Sequence, residues 1–174
     1  MKRGEELKSQ IREAFSRAKY PGDDNLRGSD MGDEPFRVES AFRGKDRWQT
    51  LEPEFIDRAP EGLGSALSFF SHDAFRFYLP AYLLADIDAT LNRANPVFQL
   101  THGLDDATRS VCINPRLYGE RTWMDYCRER FAAFTGDEAA AIVAYLRFKR
   151  DSSEFERKSI DEALRNYWNE RVAS

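Results

Sequence analysis

The longest apolar stretch of the chain covers residues 64–91 and contains few polar residues. At helical spacing its large side chains fall on two faces, one with Phe75, Tyr78, Leu79 and Tyr82, the other with Phe77, Ala81, Leu84 and Leu91. A helix that is apolar nearly all round is normally buried among other helices. Charged residues interrupt the stretch too early for a membrane span, which needs about 20 consecutive apolar residues. The pattern predicts the core helix of a soluble domain, with Phe75 and Leu84 in the core.

The start and the middle of this central helix carry two further signals. Ser71 is the expected cap at its start. Pro80 lies about two turns further on, where it lacks an N–H for the carbonyl of Arg76 and its ring crowds that carbonyl. Either the helix kinks at Pro80, or a short helix ends near Phe77 and a longer one begins close to Pro80. We favour the kink, because Leu79 would be a poor cap for a second helix.

The amino-terminal part of the chain predicts two helices separated by a loop. Apolar residues at helical spacing predict the first helix over residues 5–18. The motif YPGDDN at 20–25 supplies dense turn chemistry that ends it. The second helix is expected to begin with Asp33 as its cap and Pro35 in its first turn. The same segment also alternates between apolar and polar residues, which leaves a strand as the alternative.

The segments on either side of the central helix have weaker patterns. We expect a helical turn or short helix over residues 48–56, broken by Pro53, and then a loop marked by Pro60, Gly62 and Gly64. After the central helix, residues 97–100 are compatible with a short strand, and residues 102–106 are typical of a turn. Irregular stretches as long as residues 95–115 are uncommon inside compact domains and often functional.

The last third of the chain is strongly helical in pattern. A first helix is expected around the apolar face of Trp123, Tyr126, Cys127, Phe131 and Phe134. Thr135, with Glu138 three residues on, is a capping box that opens the next helix. Ser159 and Glu162 repeat the pattern, or lie within a helix begun at Ser153. The buried face of this last helix is expected to carry Ile160, Ala163, Leu164, Tyr167 and Trp168.

These patterns together predict a mostly α fold. We expect a compact single-domain helical bundle over residues 1–174, arranged around a buried, Pro-kinked central helix. A length of 174 residues suits one domain. Hydrophobic residues make up 41% and charged residues 32%, as in a folded, well-solvated globule.

Charge and cysteine content narrow the functional classes. A formal net charge of −4 gives no overall attraction to nucleic acid or to an anionic membrane, so neither partner is predicted. The first residues carry charges where a signal peptide has its apolar region, so no export signal is expected. The two cysteines, Cys112 and Cys127, form no CxxC pair, which favours a reducing, cytoplasmic setting. The oligomeric state is open.

Two kinds of catalytic or metal site can be weighed from the residues. His72 and His102 lie near carboxylates, and Asp23 and Asp24 could complete a metal site, but no ligands stand at fixed helical spacing. No metal and no cofactor is therefore predicted. Cys112 follows His102 by ten positions, but an activated thiolate must lie beside a base in space, so we favour an ordinary buried or loop thiol.

Several motifs resemble an uncharacterised, mainly bacterial family, a domain of unknown function. They are YPGDDNL at 20–26, FRGKDRWQTL at 42–51, GSALSFFSHDAFRFYLPAYLLADI at 64–87, LTHGL at 100–104 and RLYGERTW at 116–123. The resemblance extends from Tyr20 to about Trp168. It implies a shared fold and a cytoplasmic setting, and it assigns no activity or catalytic residue. It directs attention to the polar motif members Asp23, Asp24, Arg76, His102 and Arg116.

The leading hypothesis is a non-enzymatic, immunity- or adaptor-like domain that binds another protein. It rests on the negative charge, the small size and the lack of catalytic spacing. The alternative is an enzyme or small-ligand-binding protein with a polar pocket at Pro80, lined by the YPGDDN and THGLDD loops. We predict that Asp23, Asp24, Arg76 and His102 lie together there, because an arginine in a buried helix needs carboxylate partners.

Overall fold

The computed structural model describes residues 2–59 and 66–173, and helices dominate this part of the chain. It contains no strand there, only two isolated antiparallel bridges, Arg27 with Phe70 and Cys112 with Thr122. The predicted mostly α fold is confirmed. No helix among the described residues is long and apolar enough to cross a membrane. The chain divides into two compact units, residues 1–96 and 97–174, and the single domain stays a prediction.

The first unit is built around one long helix. Its helices are α1 (Lys2–Ala14), α2 (Glu34–Phe42), α3 (Pro53–Arg58) and α4 (His72–Ile87), with 3₁₀ turns at Asp23–Asn25, Trp48–Thr50 and Ala66–Ser68. Both α1 and α3 pack against α4. Most of α4 is buried, from Ala74 to Ala85, which explains why its sequence is apolar on nearly every face.

The central helix follows the sequence pattern closely. Ser71 caps it as predicted, because its hydroxyl accepts a hydrogen bond from the Ala74 amide at 3.0 Å. The helix continues through Pro80, so the alternative of two helices is wrong. The kink itself stays a prediction. Phe75 is fully buried, as expected, whereas Leu84 is only half-buried.

The shorter elements of the first unit correct several details. The first helix ends at Ala14 rather than at residue 18. The second helix is confirmed, and the strand alternative there is wrong; Asp33 holds the cap position without a side-chain cap hydrogen bond. Pro53 opens α3 instead of breaking a helix, since the first helical turn needs no amide hydrogen from proline. The predicted loop at Pro60, Gly62 and Gly64 lies outside the described residues.

The second unit consists of shorter helices around an aromatic core. They are α5 (Pro96–Thr101), α6 (Pro115–Tyr118), α7 (Trp123–Phe131), α8 (Gly136–Ser152), α9 (Arg157–Ala163), a π-helical segment at Leu164–Trp168 and α10 (Asn169–Ala173). Helix α8 packs against α9 and α10. The rings of Phe131 and Trp168, both fully buried, lie 4.9 Å apart between centroids.

The second unit confirms one cap and overturns two assignments. The capping box at Thr135 and Glu138 opens α8 as predicted. Residues 97–100 belong to helix α5, so the strand is wrong; Thr101 donates its hydroxyl back to the Val97 carbonyl at 2.9 Å. Ser159 lies inside α9, which begins at Arg157, and is not its cap. The turn after α5 is confirmed, with Gly103 at φ +86°.

Candidate functional site

In the first unit the YPGDDNL loop is tied to the start of α4 by backbone hydrogen bonds. The Ser71 hydroxyl donates to the carbonyl of Asn25 at 2.6 Å, and the Ser71 amide donates to that of Leu26 at 2.8 Å. The Gly28 amide donates to the Phe69 carbonyl at 2.8 Å. The loop is therefore held by the same serine that caps the central helix.

A second tie joins this loop to the turn after α2. The Tyr20 hydroxyl donates to Asp23 Oδ1 at 2.5 Å, and the Gly44 amide donates to the same oxygen at 2.8 Å. The Tyr20 bond and then the Gly44 bond lower the pKa of Asp23. Burial, followed by the bond to Asp23, raises the pKa of Tyr20 to about 12. At neutral pH Asp23 therefore stays ionised and Tyr20 stays protonated. A pair in these fixed protonation states is suited to a structural hydrogen bond and not to proton transfer.

The hydroxyl of Tyr78, on α4, donates to the carbonyl of Lys45 at 2.8 Å in the same turn. Burial is the main cause that raises the pKa of Tyr78. Together with Tyr20 and Gly44, this bond brings three of the motif segments of the sequence, at 20–26, 42–51 and 64–87, to one place. This is a structural role for Asp23, Gly44 and Tyr78 in those motifs.

The remaining predicted site residues of the first unit have separate surroundings. Asp24 is fully exposed, and the guanidinium of Arg43 lies 4.0 Å from it and 3.9 Å from Asp23. Arg76 is half-buried on α4 and lines a cavity. Its pairing with either aspartate stays a prediction. His102 and Arg116 belong to the second unit, so the convergence of all these residues also stays a prediction.

The cavity beside Arg76 lies wholly within the first unit. It encloses about 330 Å³ and is lined by Arg17, Ala18, Lys19, Tyr20, Pro21, Asp73, Arg76 and Phe77. The residues come from the turn after α1 and the first two turns of α4. The sequence drew attention to Arg76 but not to Arg17, which fell on the polar side of the predicted first helix, or to Lys19, which lies outside every motif.

In the second unit the imidazole ring of His102 packs between two aromatic side chains. It stacks on Phe98 with 4.8 Å between centroids and meets the Trp123 ring edge-on at 4.8 Å. Burial lowers the pKa of His102, and the charge of Asp105 only partly opposes this. A neutral imidazole packed between two rings is typical of a structural histidine.

Neither cysteine shows the features of a catalytic nucleophile. Cys127 donates its thiol to the His102 carbonyl at 3.3 Å, and burial raises its pKa to about 12. Cys112 is an exposed loop thiol whose sulfur lies 3.7 Å from the Glu120 carbonyl oxygen. Within residues 2–59 and 66–173, no group of three His, Cys, Asp or Glu side chains could hold a metal ion.

The carboxylates of the THGLDD loop also act as structural ties. Asp106 accepts hydrogen bonds from Asn166 at 2.9 Å and Arg165 at 2.7 Å, in the π-helical segment, and the Asn166 bond is the main cause that lowers its pKa. Asp105 accepts from the Thr108 hydroxyl at 2.6 Å. These hydrogen bonds fix the loop, and both of its aspartates already have partners within the protein.

The segment from residue 109 to 122, which we call the excursion, is ordered and yet exposed. Its two limbs are joined by hydrogen bonds from the Ile113 amide to the Arg121 carbonyl, at 2.8 Å, and from the Trp123 amide to the Val111 carbonyl, at 3.0 Å. Helix α6 lies between the limbs. The three large apolar side chains that it exposes are Val111 at 49%, Leu117 at 58% and Tyr118 at 45%.

Arg116 directly precedes Leu117 and Tyr118 in α6 and is exposed. It makes no hydrogen bond or ion pair with any residue that the structure describes, whereas Arg121 is paired with Glu129 at 2.5 Å. The sequence singled out Arg116 through its motif but missed the exposed apolar neighbours. The local signal was present, since Pro115 and Gly119 flank the short apolar pair Leu117 and Tyr118.

The chain belongs to a family of unknown function, DUF6714, whose model matches residues 3–172. This confirms the resemblance to an uncharacterised family, and the match extends over nearly the whole chain. No curated protein and no solved structure matches the chain.

Proposed function

We propose, since membership of this family assigns no activity, that the protein is a protein-interaction domain whose partner binds to the excursion at residues 109–122. The observation that carries the proposal is the combination of order and exposure there. The backbone limbs are hydrogen-bonded to each other, while Val111, Leu117 and Tyr118 face solvent.

The physical reason for this assignment is that the backbone of the excursion is hydrogen-bonded while its large apolar side chains remain exposed. A loop with three large exposed apolar side chains gains little stability from them, because apolar groups stabilise a fold when they leave water. A binding surface that is already ordered loses less conformational entropy when a partner arrives. Tyrosine and arginine are also the residue types that most often dominate binding energy at interfaces.

Charge defines the chemistry of the partner. Arg109 is near Asp106, at 3.6 Å, and Arg121 is paired with Glu129, so their charges are partly neutralised. Arg116 keeps an unpaired positive charge next to Leu117 and Tyr118. We therefore propose a protein that presents a carboxylate at the edge of an apolar groove, with the groove receiving the tyrosine and leucine.

A site-specific crosslinking experiment tests the proposal. A photoreactive amino acid at Val111 identifies the protein that it captures in cells, and that protein is then purified. We expect it to bind the purified chain in calorimetry and to lose about 10-fold or more in affinity for each of Arg116→Ala and Tyr118→Ala. Reversing the partner's carboxylate to lysine should restore binding to Arg116→Glu.

Matched controls use residues of the same kind elsewhere in the second unit. Arg128→Ala removes an exposed arginine of α7, and Phe155→Ser removes a phenylalanine that is 97% exposed. Both should bind the partner as the unchanged chain does. Equal losses in the controls and the excursion variants would contradict the proposal. So would sedimentation that shows the excursion joining two copies of this chain.

A further inference from the structure

The cavity in the first unit combines a positive rim with an aromatic wall. Three cationic side chains, Arg17, Lys19 and Arg76, and one carboxylate, Asp73, line it, so its charged lining carries a net charge of +2. The chain as a whole carries −4. The positive lining is therefore a local feature that opposes the overall charge of the protein.

The rim cations are available to a ligand. Arg17 and Lys19 are exposed, and neither makes a hydrogen bond or ion pair with any part of the chain that the structure describes. They are separated by one residue, in the turn that follows α1. Two unpaired cations at one mouth favour an anionic group such as a carboxylate or phosphate, which both side chains bind by charge-assisted hydrogen bonds.

The wall adds an aromatic surface. The rings of Tyr20 and Phe77 meet edge-to-face, with 5.5 Å between centroids and an interplanar angle of 66°. Phe77 is buried on α4, and the Tyr20 hydroxyl is tied to Asp23, so both rings are fixed. Fixed aromatic walls favour planar ligands, because rings pack edge-to-face or offset on one another.

We propose that this cavity binds a small aromatic anion, a single ring that carries a carboxylate or a phosphate. The ring lies against Tyr20, whose own ring packs on the buried Phe77, and the anionic group faces Arg17 and Lys19. A volume of about 330 Å³ is at the lower end of ligand pockets, which limits the ligand to about one ring and its substituent. The site shares no residue with the excursion, and the proposal does not depend on the proposed protein partner.

Titration of the full chain with defined probes tests this site. Phenyl phosphate and benzoate are the two aromatic anions, inorganic phosphate lacks the ring, and benzyl alcohol lacks the charge. We expect at least one aromatic anion to saturate in calorimetry and to shift the amide resonances of Tyr20 and Phe77. Inorganic phosphate and benzyl alcohol should each bind at least about 10-fold more weakly, because each lacks half of the recognised chemistry.

Two double variants are decisive, because each removes two positive charges, one pair at the cavity and one pair elsewhere in the unit. Arg17→Gln with Lys19→Gln should weaken binding of the better aromatic anion by about 10-fold or more, since two charge-assisted contacts are lost. Arg12→Gln with Arg37→Gln removes two exposed cations of the same unit that do not line the cavity, and should change the affinity less than about 2-fold.

Three results would overturn the proposal. One is no saturation by either aromatic anion at millimolar concentration while circular dichroism shows the chain folded. Another is equal weakening in the two double variants, which would mean general charge attraction. The third is equally tight binding of inorganic phosphate or benzyl alcohol.

Discussion

The loop at residues 20–26 and the excursion at 109–122 are both ordered, and they differ in where their hydrogen bonds and side chains go. In the loop, the carbonyls of Asn25 and Leu26 accept hydrogen bonds from Ser71, the cap of α4, and Leu26 is fully buried. The excursion joins its own limbs and leaves Leu117 and Tyr118 in solvent. One segment is part of the packing of its unit, and the other is a surface that the rest of the described chain does not use.

The contrast separates two meanings of an ordered loop. Polar groups that are committed within the fold, such as Asp23 with Tyr20 and Gly44, contribute to stability and are not available to a ligand. Side chains without a partner on a hydrogen-bonded backbone segment, such as that of Arg116, are candidates for binding. The distinction depends on hydrogen-bond partners and burial. Mutations in the loop at 20–26 should therefore lower stability, whereas mutations in the excursion should lower binding and leave stability nearly unchanged.

The largest difference is expected between the two helix caps beside these segments. Ser71→Ala removes the cap of α4 and the bond to the Asn25 carbonyl, and should lower the free energy of unfolding by about 2–3 kcal/mol. Thr122→Ala removes the cap of α7 and a hydroxyl bond to the exposed Asp125 three residues away, and should cost about 1 kcal/mol. Urea denaturation of the two variants measures both; equal costs would mean that the loop gains nothing from Ser71.

A glycine substitution tests how closely the loop lies on α4. A Cβ at Gly28 would come 2.5 Å from the Phe70 carbonyl oxygen, so Gly28→Ala should destabilise the chain by about 1–3 kcal/mol through overpacking. The control is Gly136→Ala in the first turn of α8, where a Cβ meets nothing within 4 Å. Thermal denaturation should show no loss for the control. A tolerated Gly28→Ala would mean that the segment after the loop moves away from Phe70 easily.

The parts of this contrast that could be predicted from the sequence are those whose signals are local. The Ser71 cap and the Thr135–Glu138 box involve partners three residues away, and both were found. The apolar run of α4 is long enough to identify a buried helix. Residues 97–100 form a run too short to distinguish a strand from a helix. Pro96 occupies the first position of α5, where proline is favoured.

The sites were harder because their partners are distant in the sequence. Asp23 was singled out as a pocket residue, but its partner Gly44 is 21 positions away, and nothing local shows that bond. Arg17 and Lys19 become notable only when α4 brings Arg76 and Phe77 beside them. The exposure of Leu117 and Tyr118 is likewise a property of packing. Two of the predicted residues, His102 and Arg116, lie in a unit of their own, and no sequence signal marks that division.

His102 allows a smaller test at the base of the excursion, because its ring contacts Trp123, whose amide joins the two limbs. Burial lowers its pKa in the folded chain below the ordinary value of 6.5. The unfolded chain therefore takes up a proton first as the pH falls through 6.5, and stability present above that pH is lost below it. His102→Phe should flatten the dependence of unfolding free energy on pH between 7 and 5.

The carboxylates provide the control for this pH test, since they titrate in a lower window. The pKa values of Asp23 and Asp106 are lowered by their hydrogen bonds, so their contributions are lost only below about pH 4. Asp106→Asn should therefore change acid unfolding and leave the range from pH 7 to 5 unaltered. An unchanged slope in His102→Phe between pH 7 and 5 would show that the imidazole is not buried in solution.

The smallest effect is expected at the tip of the excursion. Leu117→Ser and Tyr118→Ser should each change the free energy of unfolding by less than about 0.5 kcal/mol, because Leu117 is 58% exposed and Tyr118 is 45% exposed, so little burial is lost. Hydrogen exchange at the amides of Ile113 and Trp123 should stay as slow as in the unchanged chain, since their bonds to Arg121 and Val111 involve backbone alone.

The near-absence of an effect is what gives this last experiment its value. If Leu117→Ser cost more than about 1 kcal/mol, the side chain would have to be covered in the free protein, and the excursion would be a packing element like the loop at 20–26. Retained stability and retained exchange protection, combined with lost affinity for the crosslinked partner, cannot be explained by damage to the fold. That combination leaves direct contact by Leu117 and Tyr118 as the cause, which is the difference between a segment that holds the fold and one that binds.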